Sequence, residues 1–245
     1  MNTTLIQAEG LSYHYPDGTA ALENVSFTLH RGEKVGLIGP NGAGKSTLLL
    51  HLNGILRSST GQITIDGLPL TERNLGQIRA QVGLVFQNPD DQLFSTYVHQ
   101  DVAFGPLHMG LPEAEVERRV EQALAAVGMR DAAGRISFHL SGGEKKRIAI
   151  ATVLSMQPKI LVLDEPSSGL DPRGRRSLMQ LLASFADQTL LISTHDMRLA
   201  YELCSRVIVL DEGKIVANGL AADLLTDTTL MEQHGLESVI GRGGV

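Results

Sequence analysis

At 245 residues and 42% hydrophobic content, the chain is long enough for one large α/β domain, or a core with a smaller subdomain, and apolar enough to bury it. Aromatics make up only 4% and tryptophan is absent, so the core is expected to be aliphatic, as suits parallel strands written as Val/Ile/Leu runs. The 21 Lys and Arg against 27 Asp and Glu, a net charge of −6, argue against non-specific nucleic-acid binding, and a single cysteine, Cys204, excludes an internal disulfide and fits a reducing compartment.

The start, "MNTTLIQAEG", has no basic stretch followed by an apolar one, which argues against a secretory signal. No apolar run nears the roughly 18 residues of a membrane span, so the chain taken alone is expected to be cytosolic. The first clear strand is "KVGLIG" (34–39), which runs into "GPNGAGKST" (39–47) and then the helical "LLLHLNG". This is G-x-x-x-x-G-K-[ST] between a strand and a helix. Its glycines let the backbone curl so that several N–H groups face one anion, and the following helix adds its positive end. Asn41, Gly42, Ala43, Gly44 and Thr47 belong to this cradle; Lys45 reaches the β- and γ-phosphates, and the Ser46 hydroxyl is placed to ligate Mg²⁺. A nucleoside triphosphate is the expected ligand.

Further apolar runs follow at "QITID" (62–66), "VGLVF" (82–86), "KILVLD" (159–164), "LLIST" (190–194) and "RVIVLD" (206–211). Strands alternating with helices imply βαβ units and a largely parallel sheet; the last strand, with "KIVA" after "DEG", reads as a hairpin. After "VGLVF" comes a polar, turn-prone stretch, "QNPDDQLFS" (87–95), in which Leu93 and Phe94 sit among acids with no evident core to join. Residues 88–157 read as a helical subdomain inserted in the α/β core. Within it Pro112 and Gly128 bound a helix whose Val116, Val120, Leu124 and Val127 share one face.

"HLSGGEKKR" places Ser141 and Glu144 as a capping box, which does not account for Gly142 and Gly143, because glycine at a helix start costs stability. A glycine-lined helix N-terminus suits close approach to a phosphate. "KILVLDEP" ends in Asp164, placed to hold Mg²⁺ directly or through water, and Glu165, placed as general base on the attacking water. The eight histidines are scattered, and no pair has convincing ligand spacing for a transported metal.

"LSGGEKKR" just upstream of "ILVLDEP" resembles the signature of ABC-type ATPases, and the similarity runs from about residue 5 to 220. That resemblance implies a P-loop NTPase core with a mainly parallel sheet, an N-terminal antiparallel β part and the inserted helical subdomain, within an ATPase domain spanning 1–220. It implies ATP and Mg²⁺ as cofactors. It also implies a head-to-tail dimer, homo- or heteromeric, in which Ser141, Gly142 and Gly143 of one subunit complete the other's phosphate site. Tyr15 matches the aromatic that stacks on adenine, with Tyr13 as the alternative. Gln87 matches the glutamine that senses Mg²⁺ and water, and Ser168–Asp171 the loop that crosses the dimer interface. His195 matches the histidine that contacts the γ-phosphate; Glu144 departs from the commoner Gln.

"QNPDDQLFSTYVHQDVAFGP" is similar to ATPase subunits of energy-coupling-factor importers, while "LSGGEKKRIAIA" and "LLLHLNGIL" resemble their cobalt or nickel branch. The implied partners are a transmembrane coupling subunit and a substrate-binding membrane subunit, and the implied location is the cytoplasmic face of the membrane. The resemblance also implies that the Leu93/Phe94 loop docks on the transmembrane subunit, where Asp90 and Asp91 have the charge to meet an Arg; the alternative is that Leu93 and Phe94 fold back into the chain's own helical subdomain. A vitamin-type importer ATPase and a soluble ABC ATPase acting on nucleic acid stay open as alternatives. A P-loop kinase would have no use for "LSGGE". Residues 221–245 read either as a short helix or as a tail.

Overall fold

The computed structural model describes residues 3–239. The Gly-rich end "GRGGV" lies outside the described residues. Two sheets and a helical subdomain make up the molecule. The first sheet is antiparallel and holds β1 (Thr4–His14), β2 (Ala20–His30), β4 (Thr60–Ile65) and β5 (Leu68–Pro69), in the order β2-β1-β4-β5. The second holds β3 (Lys34–Ile38), β6 (Val82–Val85), β7 (Ile160–Asp164), β8 (Thr189–Thr194), β9 (Arg206–Asp211) and β10 (Lys214–Leu220), in the order β10-β9-β3-β8-β7-β6. Its pairings are parallel except for the hairpin β9–β10.

The central strands are buried on both faces, as at Leu161, Val162 and Leu163, which is why they read as unbroken apolar stretches. "QITID" is a correction to the expected βαβ rhythm: its strand pairs antiparallel to β1 in the first sheet. β1 bulges at Gly10, where φ is +60° and the register against both neighbours shifts. There β4 approaches so closely that a Cβ on Gly61 would lie 2.5 Å from the Gly10 backbone.

The helical part comprises α3 (Val98–His108), α4 (Glu113–Ala126) and α5 (Gly142–Leu154); α1 (Lys45–Leu52), α2 (Leu75–Gln81), α6 (Pro172–Ser184) and α7 (Met197–Leu203) serve the sheets. α4 buries Val116, Val120 and Leu124, followed by Val127, each contributing roughly 2 kcal/mol of transfer free energy. Pro112 caps α4, and Gly128 at φ +69° ends it with an N–H bond to the Ala125 carbonyl.

Leu93 corrects the expectation for the 87–95 loop. It is 3% exposed and belongs to the core formed with Val98, Val102 and Ile148, whereas Phe94 is 61% exposed, its ring in a T-shaped contact with that of Phe104. Asp90 is engaged within the chain too, 2.6 Å from Lys145 on α5. After β10, α8 (Ala221–Leu224) and α9 (Thr228–Gln233) bury Leu225, Met231 and Leu236 against Ile38, Met197, Val207 and Val209. His234 Nδ1 lies 2.7 Å from Asp211 Oδ2 and pins this segment to β9.

Candidate active site

Strands β3, β8, β7 and β6 are consecutive neighbours and run parallel, so the segments leaving their carboxyl ends gather along one edge. Those segments carry Gly39–Ser46, His195, Asp164 with Glu165, and Gln87. Such an edge is where open α/β sheets bind ligands.

The loop after β3 admits only glycine at two places. A Cβ on Gly39 would fall 2.0 Å from the Leu210 carbonyl oxygen, and one on Gly44, at φ +101°, 2.3 Å from that of Ala21. Gly44 leads into α1 without any side-chain cap, so no neighbouring side chain occupies the first-turn N–H groups that an anion would take. Lys45 is buried, and its ammonium donates to the Gly39 and Pro40 carbonyls at 2.8 and 3.0 Å. Burial pulls the Lys45 pKa down, opposed by the carboxylates of Glu165 and Asp164.

β7 delivers its two carboxylates differently. Asp164 is half-buried and accepts from the Ser193 hydroxyl on neighbouring β8. Glu165 is 6% exposed, with φ +42°, and its N–H donates to both the carbonyl and the hydroxyl of Ser193. A left-handed non-glycine residue costs of order 1 kcal/mol and is held here by those bonds. Its carboxylate spans the site: Oε1 is 3.9 Å from Lys45 Nζ, and Oε2 is 2.8 Å from His195 Nδ1 and accepts the His195 N–H at 3.3 Å.

Gln87 is the second residue beyond β6, not the first, because the strand ends at Val85. Its side chain is exposed toward the same pocket, and its carbonyl accepts from Lys146 of α5 at 3.0 Å. Burial lowers the Lys146 pKa, offset in part by Glu165. At the pocket's far side the Tyr15 hydroxyl bonds the Thr47 hydroxyl at 2.8 Å. Tyr13 instead turns inward, its ring 4.8 Å from that of His51, which leaves Tyr15 as the aromatic at the pocket.

Together Tyr15, Asn41, Gly42, Ala43, Gly44, Lys45, Ser46, Thr47, Gln87, Glu165 and His195 line one open cavity of about 510 Å³, within the usual size of a small-molecule site. Asp164 stands one residue behind it. The sequence reading missed Ser193, the hydroxyl that donates to the Asp164 carboxylate and accepts the Glu165 N–H; its only signal is its place two residues before His195 in "LLISTH". The oxygen donors at hand for a divalent cation are the Ser46 hydroxyl, the Asp164 carboxylate and the Gln87 amide. So few hard donors suit Mg²⁺, which takes one or two protein groups and fills its shell with phosphate and water.

Ser141, Gly142 and Gly143 are not brought to this cavity. They line a separate one with Gly169, Leu170 and Asp171. Ser141 is exposed and forms the full capping box with Glu144. Arg135 at 2.7 Å, together with the Ser141 N–H and hydroxyl, holds the Glu144 pKa down to about 2. A Cβ on Gly142 would meet nothing within 4 Å. No described residue of the chain therefore crowds that position.

The family profile described as ABC transporter matches residues 22–168. A putative ABC transporter ATP-binding protein of Streptomyces avermitilis is 54% identical over 96% of this chain and 90% of its own length. The energy-coupling factor transporter ATP-binding protein EcfA of Methanothermobacter thermautotrophicus is 49% identical over 95% of this chain and 76% of its own. Among solved structures, cbiO1 of Clostridium perfringens, described as part of the ABC transporter complex cbiONQ, superposes with a TM-score of 0.84, is 40% identical and covers 94% of each chain. The dimeric ATP-binding cassette MJ0796 with ADP and Pi superposes at 0.79 with 27% identity, over 89% of this chain and 99% of that one. The chain belongs to the ABC transporter family, as an ATP-binding and ATP-hydrolysing subunit of the energy-coupling-factor kind.

Proposed function

We propose that this subunit drives a membrane importer whose cargo is cobalt or nickel ion, working as a dimer on the cytoplasmic face. The cargo reading is supported by the whole-length likeness to cbiO1, together with the "LSGGEKKR" and "LLLHLNG" stretches. No helix among the described residues is long and apolar enough to cross a membrane, so the path for the cargo belongs to partner subunits. These would be a transmembrane coupling subunit and a substrate-binding membrane subunit, with this chain attached peripherally.

The observation that carries the dimer is the division of the site. One cavity holds phosphate cradle, carboxylate and histidine, while the glycine-lined start of α5 opens on another. Two copies placed head to tail bring each helix start onto the other's nucleotide, with open space at the Gly142 Cβ position among the described residues.

Within each site the first-turn N–H groups of α1 and Lys45 hold the phosphates, and Tyr15 packs on the adenine. Ser46, Gln87 and Asp164 would hold Mg²⁺, whose charge screens that of the phosphates. Glu165, fixed by Ser193 and His195, accepts the proton of the attacking water. His195 is 61% exposed in its side chain and lies against Glu165, so it can turn to the γ-phosphate while its backbone N–H keeps the carboxylate in place.

Purification of the tagged chain from membranes, with identification of the small membrane proteins that accompany it and ATPase assays of that complex with Co²⁺, Ni²⁺ or vitamins, tests the reading. Cargo-dependent hydrolysis with Co²⁺ or Ni²⁺ is expected. Stimulation by a vitamin alone would move the subunit to the vitamin branch, and co-sedimentation with nucleic acid without membrane partners would overturn the importer.

A further inference from the structure

Asp101 is a carboxylate in the first turn of α3 that is only 2% exposed. Its two oxygens serve different segments. Oδ1 accepts the N–H groups of Phe94 and Ser95 at 3.1 and 2.9 Å, and Oδ2 accepts the Ser137 hydroxyl at 2.7 Å. Ser137 is itself buried and donates its N–H to the Thr96 carbonyl, while Val98 and His99 donate to Arg135 and Ala133. Tyr97 and Ile136 complete the joint as an isolated antiparallel bridge. Residues 133–139 are thus laid along the segment that begins at Phe94, and they lead directly to Ser141. Arg135, in the same turn, holds Glu144 of the capping box at 2.7 Å.

We infer that Asp101 is a positioning residue that ties the loop of Phe94 to the turn carrying the start of α5, so that force on Phe94 sets where Ser141 points. This rests on the reading that the α5 start meets the nucleotide of a second copy. The physical reason is one buried carboxyl group shared by two segments. At this depth its oxygens need all three donors, so neither segment moves without pulling on the other or leaving a buried oxygen underbonded. The dense packing around α3 transmits the displacement instead of absorbing it.

Ser137→Ala separates this role from simple stabilisation, because it removes the Asp101 side-chain bond to the turn and leaves the bonds to Phe94 and Ser95 and the backbone joint. Ser137→Cys keeps the volume with a weaker donor and serves where the alanine variant melts early. Each is made in the full chain, alone and with Glu165→Gln, alongside Asp101→Asn. Amide exchange is followed at 93–95 and 135–144, and ATP-dependent dimerisation on a sizing column.

Ser137→Ala is expected to speed exchange at 137–144 about tenfold, as loss of a bond to a buried acceptor implies, with 93–95 unchanged. The ATP needed for half-maximal dimerisation should rise by a similar factor, while ATP binding by the monomer stays the same. Asp101→Asn should loosen both segments. If exchange at 137–144 is unaffected by either variant, or if Ser137→Ala dimerises at the parent ATP concentration with a loosened turn, the link is refuted. If Glu165→Gln alone fails to dimerise with ATP, the two-copy reading falls, and the exchange arm still decides whether Asp101 joins the two segments.

Discussion

Glu165 is the side chain we propose as the general base. It is buried, left-handed at φ +42°, and flanked by Lys45 at 3.9 Å and His195 at 2.8 Å. A carboxylate merely closing a strand would be solvated; this one meets Lys45 and His195, and its backbone N–H is held by Ser193. Glu165→Gln keeps the shape and removes the proton acceptor. Steady-state phosphate release should fall by at least about 10²-fold, the usual worth of a general base, while equilibrium ATP binding stays near the parent value. Near-normal turnover would take Glu165 out of that role. The identity of this residue was legible because "ILVLDE" follows a phosphate-loop motif, but its bracing was not. Ser193 lies 28 residues away in sequence and meets Glu165 only through the parallel pairing of β7 and β8.

At the scale of elements, what could be read was periodic or local. The α4 stripe and its Pro and Gly boundaries follow from 3.6-residue spacing, and the capping box at Ser141 from a four-residue pattern. That cap separates two effects of one side chain. Ser141→Ala should lower the melting temperature in line with a loss of about 1 kcal/mol. Ser141→Arg should abolish hydrolysis with ATP binding by each monomer retained, because the side chain obstructs the helix start and not the phosphate cradle. Equal loss of ATP binding in the Arg variant would make the motif purely structural. Less local facts escaped. β1 and β2 alternate imperfectly, with a bulge at Gly10, and "QITID" carries no sign that its partner is antiparallel β1. Apolar periodicity marks a strand but not its neighbour's direction.

For the whole molecule, the question is how nucleotide state would reach a membrane partner, and the 87–95 loop is where we propose the two meet. Gln87 faces the phosphate cavity, and the loop is fastened to α5 by Lys146 at its carbonyl, by Lys145 at Asp90, and by Gln92, whose amide bonds Ala149 and Thr152. The structure splits its apolar pair: Leu93 is core and Phe94 is surface. Leu93→Ala should therefore cost about 2–5 kcal/mol in thermal or urea unfolding of the isolated chain. Phe94→Ala should cost within about 1 kcal/mol, the worth of its edge contact with Phe104. With Leu93 in the core, the docking surface we propose is Phe94 and Phe104, with Leu107 and Met109 also exposed at the end of α3. Asp91 is the acid on the loop that no Lys or Arg among the described residues pairs with, so it is the better match for a basic group on a coupling subunit. Phe94→Ala with Asp91→Ala, in the full membrane complex, should leave the melt and ATP binding of the subunit intact. Co-purification of the membrane subunits, or cargo uptake, should drop at least about tenfold, as loss of a buried aromatic anchor implies. An unchanged complex with full uptake would place docking elsewhere, and an early melt would return Phe94 to the core.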